Sequence, residues 1–144
     1  SDGEDMVSPS GEGGERCMQI ALEMSGNKTV DYINAHGTGT AANDKTECAA
    51  VADVFGRHAD NLMLSSTKSM HGHLIGGTGA VELLACIMAV KDGIIAPTIG
   101  YEEADPECAL DVVPNHARET EVDVALSNAF AFGGLNAVLA LRSV

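Results

Sequence analysis

The chain has 144 residues, 45% of them apolar and 3% aromatic, with 16 glycines and a formal charge of −13. That length and apolar content suit one packed domain and exclude a disordered chain. The acidic balance argues against a nucleic-acid-binding surface and against docking on an anionic membrane, since both need Lys and Arg.

In chain order, residues 1–11 read as a Gly/Ser/Pro loop without a signal-peptide pattern, and the lack of an initial Met suggests the middle of a longer chain. Apolar residues at 17, 18, 20, 21, 22 and 24 predict a helix that ends at Gly26. TVDYINA (29–35) predicts a strand. NDKTECAAVADVFG predicts a helix capped by Asn43 or Asp44, with Glu47 in its first turn and Gly56 closing it. LMLSS (62–66) predicts a short strand, and a Gly-rich turn leads from it into a helix over about 77–91. That helix is apolar almost all round, so a central, buried position is expected. It is too short, and too interrupted by Gly and Glu82, to span a membrane. An irregular stretch punctuated by Pro97, Pro106 and Pro114 follows, and then two strands, DVALSNAFAF (123–132) and NAVLALRS (136–143). Alternating helices and apolar strands imply a layered α/β fold with a mainly parallel sheet covered on both faces. Cys17, Cys48 and Cys86 lie in helical or apolar contexts and Cys108 in a Pro/Glu loop, with no C-x-x-C spacing. Free thiols are expected, and a disulfide framework is not.

Three Gly-rich stretches each follow a strand: HGTGT (36–40), TKSMHGHLIGGTG (67–79) and NAFAFGGLN (128–136). In open α/β sheets, sites form at the carboxyl ends of strands. Together the loops offer His36, His73, Lys68, Glu82, hydroxyls and backbone N–H groups, a set able to polarise a carbonyl and meet developing negative charge. Taken singly, each part has a plainer reading. A His before Gly suits a turn. His71 and His73 could begin a metal site, but no third ligand stands at useful spacing. GGTG lacks the Lys-Ser/Thr ending of a phosphate loop. Lys68 could be a surface lysine, and Phe130 and Phe132 core residues. Their joint occurrence at three strand ends favours a site.

The motifs NAHGTGT, SSTKSMHGHLIGGTGAVE, APTI and SNAFAFGGLNA resemble, in order and spacing, the C-terminal half of a β-ketoacyl-acyl carrier protein synthase of the elongating type, in the thiolase superfamily. The likeness covers essentially the whole chain. It implies a mixed sheet flanked by helices in a thiolase-like half, lacking its first, central strand, so that strands 29–35 and 62–66 are separated by a gap from 123–129 and 136–142. It implies decarboxylative condensation of malonyl and acyl thioesters. His36 and His73 would hold the enolate oxygen, and Lys68 with Glu82 would tune the site. The Phe132 N–H would complete an oxyanion hole, and the Phe130 ring would gate the acyl pocket. Thr38 and Thr40 would touch the phosphopantetheine arm, with Gly133 and Gly134 also lining the substrate. Asn34, Glu82, Ser127 and Asn128 match a cluster that in some relatives surrounds a structural cation or water. His71 stands where close relatives carry Thr and is expected to be non-catalytic. "AFGG" in place of "GFGG" removes a glycine before Phe132.

No cysteine here occupies a strand-to-helix elbow, so the acyl-bearing nucleophile is expected in an N-terminal half outside this chain, and the chain is expected not to fold stably alone. The resemblance implies no bound cofactor, since the phosphopantetheine arm arrives on the acyl carrier protein. It implies a homodimer in the cytoplasm. The alternatives are a non-catalytic chain-length-factor-like partner subunit, a specialised synthase for polyketide or nodulation-type acyl chains, or a plain structural or small-molecule-binding domain. Retention of both histidines and Lys68 speaks against the non-catalytic partner.

Overall fold

The computed structural model describes residues 10–26 and 28–143, so most of the N-terminal loop expected from the sequence lies outside the described residues. The expected alternation is present: α1 (Glu12–Met24), β1 (Tyr32–Asn34), α2 (Ala41–Phe55), β2 (Met63–Ser65), the short α3 (Lys68–His71) and α4 (Thr78–Asp92). After it come β3 (Ile94–Ile95), β4 (Arg118–Glu119), β5 (Val124–Ala131) and β6 (Leu135–Arg142). α2 starts before Asn43 and Asp44. Thr40 is its N-cap, and the Asp44 carboxylate instead accepts from the Gly39 N–H at 3.3 Å.

The main sheet has the order β2-β1-β5-β6, with β1 parallel to β2 and β5, and β6 antiparallel to β5. The expected central gap is absent. Tyr32, Ile33 and Asn34 pair directly with Ala125, Leu126 and Ser127, which closes the ladder between the two strand pairs. β2 is flanked by the Asp111 segment, whose carbonyl accepts from Leu64 N at 2.8 Å. The outer edge of β6 has no strand beside it among the described residues.

Side chains alternate across the sheet as the strand period requires. Ile33, Leu64 and Leu126 pack under α1 and α2 with Met18, Cys48 and Val51. Tyr32 and Ala125 face α4 with Cys86, Ala89 and Ile95. α4 itself corrects the expectation of all-round burial. Thr78, Glu82, Cys86 and Ala89 form its buried stripe, while Leu84, Ile87 and Met88 are exposed. One face meets the sheet, and nothing among the described residues covers the other.

The cysteines also differ from expectation. Cys17 and Cys86 are free, but Cys48 and Cys108 are joined in a disulfide across 60 residues, with their Cα atoms 5.4 Å apart. α2 and the proline-rich stretch lie side by side, a proximity that sequence spacing does not report. No described helix is long and apolar enough to cross a membrane.

Candidate active site

His36 sits one residue beyond Ala35, at the carboxyl end of β1. The chain turns there through Gly37, whose φ is 40° and where a Cβ would lie 2.5 Å from Ser66 Cβ, so only glycine fits. The Ser66 hydroxyl donates to the Gly37 carbonyl at 2.6 Å and ties this loop to the end of β2. Glu47 holds it from α2. Its carboxylate accepts from the backbone N–H groups of His36 and Gly37, each at 2.9 Å, and from Asn128 Nδ2 at 3.1 Å. Burial pushes the Glu47 carboxyl up, and these donors oppose the shift. By sequence alone Glu47 is a first-turn helix residue. The available signal was an acidic side chain next to Cys48 on the buried face of a helix.

The His36 ring is held neutral. Burial, then the Lys68 and His73 charges, lower its pKa to about 4. Its centroid lies 5.7 Å from that of His73, edge to face, and 6.0 Å from Phe130. His73 is exposed, and its tautomer is fixed by its neighbours. The Ile75 backbone N–H lies 3.1 Å from His73 Nδ1 and can only donate, so Nδ1 carries the lone pair. The Thr78 hydroxyl lies 2.9 Å from the same nitrogen. The ring proton is therefore on Nε2, the donor edge left for a substrate. Ile75 makes this contact from φ 54°, a costly conformation for a β-branched residue.

Lys68 is not a surface residue. Its ammonium pairs with Glu82, and both side chains are buried. Burial pushes the Glu82 carboxyl up while Lys68 pulls it back. Glu82 Oε2 and Asn128 Oδ1 are buried acceptors without a hydrogen-bond partner among the described residues. Asn34 pairs with Ser127 across the ladder and lies against Glu82 on the α4 face, so three residues of the implied cation cluster are brought together, but Asn128, the next residue of β5, points to the opposite face, where its amide donates to Glu47. The cluster's only carboxylate is already shared with Lys68. That donor set fits a monovalent cation or a water better than a divalent ion. No group of three His, Cys, Asp or Glu suitable for a metal occurs among the described residues. His71 does not pair with His73. Its Nδ1 lies 2.7 Å from the Gly72 carbonyl and its Nε2 3.1 Å from Thr67 Oγ1.

Thr38 and Thr40 hydrogen-bond to each other through their hydroxyls at 2.9 Å, on an exposed rim. Phe130 is half-buried, its ring 3.1 Å from where a Cβ on Gly14 would stand, so α1 passes close behind it. Phe132 is 77% exposed. It begins the turn between β5 and β6 with Gly133 and Gly134, both at positive φ. Of the two rings, Phe132 has the space to move.

A family described as the C-terminal domain of β-ketoacyl synthases matches residues 1–102. Nodulation protein E of Rhizobium sp. (strain N33) is 54% identical over 146 residues, a match covering 100% of this chain and 36% of that protein. 3-Oxoacyl-[acyl-carrier-protein] synthase 2 of Synechocystis sp. (strain ATCC 27184 / PCC 6803 / Kazusa) is 52% identical over 136 residues, covering 93% of this chain and 33% of that one. A solved structure described as a type II PKS acyl-carrier protein in complex with its ketosynthase bound to the hexaketide superposes with a TM-score of 0.93 at 34% identity, covering 98% of this chain and 36% of that one. The chain thus spans about a third of the length of the relatives it matches.

Proposed function

Since this chain belongs to the β-ketoacyl synthase family through its C-terminal domain, we propose that it supplies the histidine-bearing part of a β-ketoacyl-acyl carrier protein synthase, an acyltransferase that lengthens fatty-acid or related acyl chains. The carrying observation is the His36–His73 pair, with rings 5.7 Å apart and the His73 proton directed to Nε2 by the Ile75 N–H.

The chemistry follows from those two rings. When a malonyl thioester loses CO2, the electrons of the broken C–C bond move onto the thioester oxygen as an enolate. Preorganised donors in a partly dry site lower the cost of that charge. A neutral imidazole donates a hydrogen bond without delivering a proton to the carbanion, and His36 stays neutral down to about pH 4. The enolate carbon then attacks the acyl thioester carried by the nucleophile, so the new C–C bond forms as the acyl C–S bond breaks and the nucleophile departs as its thiolate. That nucleophile belongs to the N-terminal half. The Phe132 N–H would serve the acyl carbonyl, the Phe130 ring the acyl pocket, and Thr38, Thr40, Gly133 and Gly134 the incoming arm. The buried Lys68–Glu82 pair gives the site a fixed field.

Acyl carrier protein is the proposed partner, supported by the solved relative whose ketosynthase is in complex with one. The N-terminal half, a second copy in a homodimer, a cytoplasmic location and the absence of a bound cofactor belong to the same reading. So does a monovalent cation held by Asn34, Glu82 and Ser127, the three cluster residues that share the α4 face. Potassium or sodium should then raise the unfolding temperature of the wild type and not that of Ser127→Ala. For the reaction, His36→Ala and His73→Ala in the longer protein should each abolish malonyl decarboxylation, measured as CO2 release. Normal release from both variants would defeat the proposal.

A further inference from the structure

The two donor histidines reside on different loops, one after β1 and one after α3, and their separation must be held for both to reach one oxygen. One hydrogen-bond chain joins the two loops, and His71 is its middle link. The Gly72 carbonyl only accepts, so His71 Nδ1, 2.7 Å away, carries a proton. In the neutral ring Nε2 then accepts from the Thr67 hydroxyl at 3.1 Å. With its own proton so directed, Thr67 Oγ1 accepts from Asn34 Nδ2 at 3.0 Å. The Thr67 hydroxyl has a second acceptor in reach, Asn34 Oδ1 at 3.4 Å, but the ring nitrogen is nearer, so the donors run from the Asn34 amide to the Thr67 hydroxyl to His71 Nε2. His71 Nδ1–H then closes onto the peptide between Gly72 and His73. Asn34 lies two residues before His36, and Gly72 lies one before His73.

Burial gives the chain weight. Asn34 is fully buried and Thr67 is 1% exposed, so a broken link leaves a polar atom without water. The Gly72 N–H also donates to the Lys68 carbonyl at 2.8 Å, which anchors the same peptide to α3. A histidine suits the position because its two ring nitrogens lie on opposite sides of one rigid plane. One can donate to a neighbouring carbonyl while the other accepts from a hydroxyl four residues back.

We propose that His71 is a positioning residue that sets the distance between the His36 and His73 donors, through Thr67 and Asn34 on one side and the Gly72 carbonyl on the other. This rests on the synthase reading above. His71 itself does not touch the substrate.

The first test uses the longer protein, isotope-labelled on its histidines. Long-range 1H–15N spectra of the labelled protein should show His71 protonated on Nδ1 and His73 on Nε2. A His71 ring protonated only on Nε2 overturns the proposal, whatever the protein catalyses. The second test uses the longer protein. His71→Phe keeps the ring and removes both nitrogens. It should lower malonyl decarboxylation by about tenfold to a hundredfold, the scale of a small misplacement of reacting groups. Acyl loading of the nucleophile, which does not use the paired donors, should stay within about twofold on the same reasoning. Thr67→Val should act in the same direction, and the double variant should be no worse than the worse single one. Decarboxylation by His71→Phe at the wild-type rate, additive losses, or equal losses in both half-reactions would overturn it. His36→Ala and His73→Ala separate the two claims: if both variants still decarboxylate at the normal rate, the synthase reading itself falls.

Discussion

Glu47 acts at two places through one carboxylate. Its Oε1 takes the His36 N–H and Asn128 Nδ2, and its Oε2 takes the Gly37 N–H. Glu47→Ala would strand three donors in a buried place, at about 1–3 kcal/mol each for an unsatisfied group before relaxation. A loss of about 3 kcal/mol or more in urea unfolding is expected on that basis, with Glu47→Gln falling between it and the wild type. His36 makes a second residue-scale prediction. Its folded pKa, about 4, lies below the ordinary 6.5. Between those values the unfolded chain binds more protons, so stability falls as pH drops from about 6.5 to 4 and this contribution is flat below. Unfolding curves of His36→Gln should lack that part of the slope. Among residues, His36 and His73 were legible because histidines before and after glycines at strand ends form a pattern. Glu47 and the structural part of His71 were not, because their partners are backbone groups on other elements.

α4 is the element whose sequence and surroundings disagree most. Its middle is nearly all apolar, yet Leu84 is 61% exposed and Met88 52%. A contiguous apolar face of this kind marks an interaction site, and the proposed N-terminal half is the cover that fits it. Leu84→Glu should therefore improve the solubility of this chain alone. It should destabilise the longer protein by about 2–3 kcal/mol, the scale of a lost buried leucine contact, in thermal unfolding. The same helix shows where pattern reading stops. Periodicity located α4 almost to the residue, since that signal is local. It overstated burial because a helix cannot report how many layers enclose it. The four strands of the main sheet are legible for the same local reason, although 29–35 shortens to Tyr32–Asn34 and the two-residue β3 and β4 carry no pattern; the direct β1–β5 pairing requires knowledge of which strands meet across some 90 residues of chain.

At the scale of the whole molecule, the covalent bond between Cys48 and Cys108 alters what kind of object the chain is. On loop-closure grounds, a link spanning this many residues restricts the unfolded chain by about 4 kcal/mol. It also divides the sequence topologically, into a closed ring from residue 48 to 108 and two tails. The ring carries Lys68, His71, His73 and Glu82. The N-terminal tail carries Asn34, His36 and Glu47, and the C-terminal tail carries Ser127, Asn128, Phe130 and Phe132. The candidate active site is the junction where both tails are laid against the ring, and the knot of that junction is tied one residue away from Glu47.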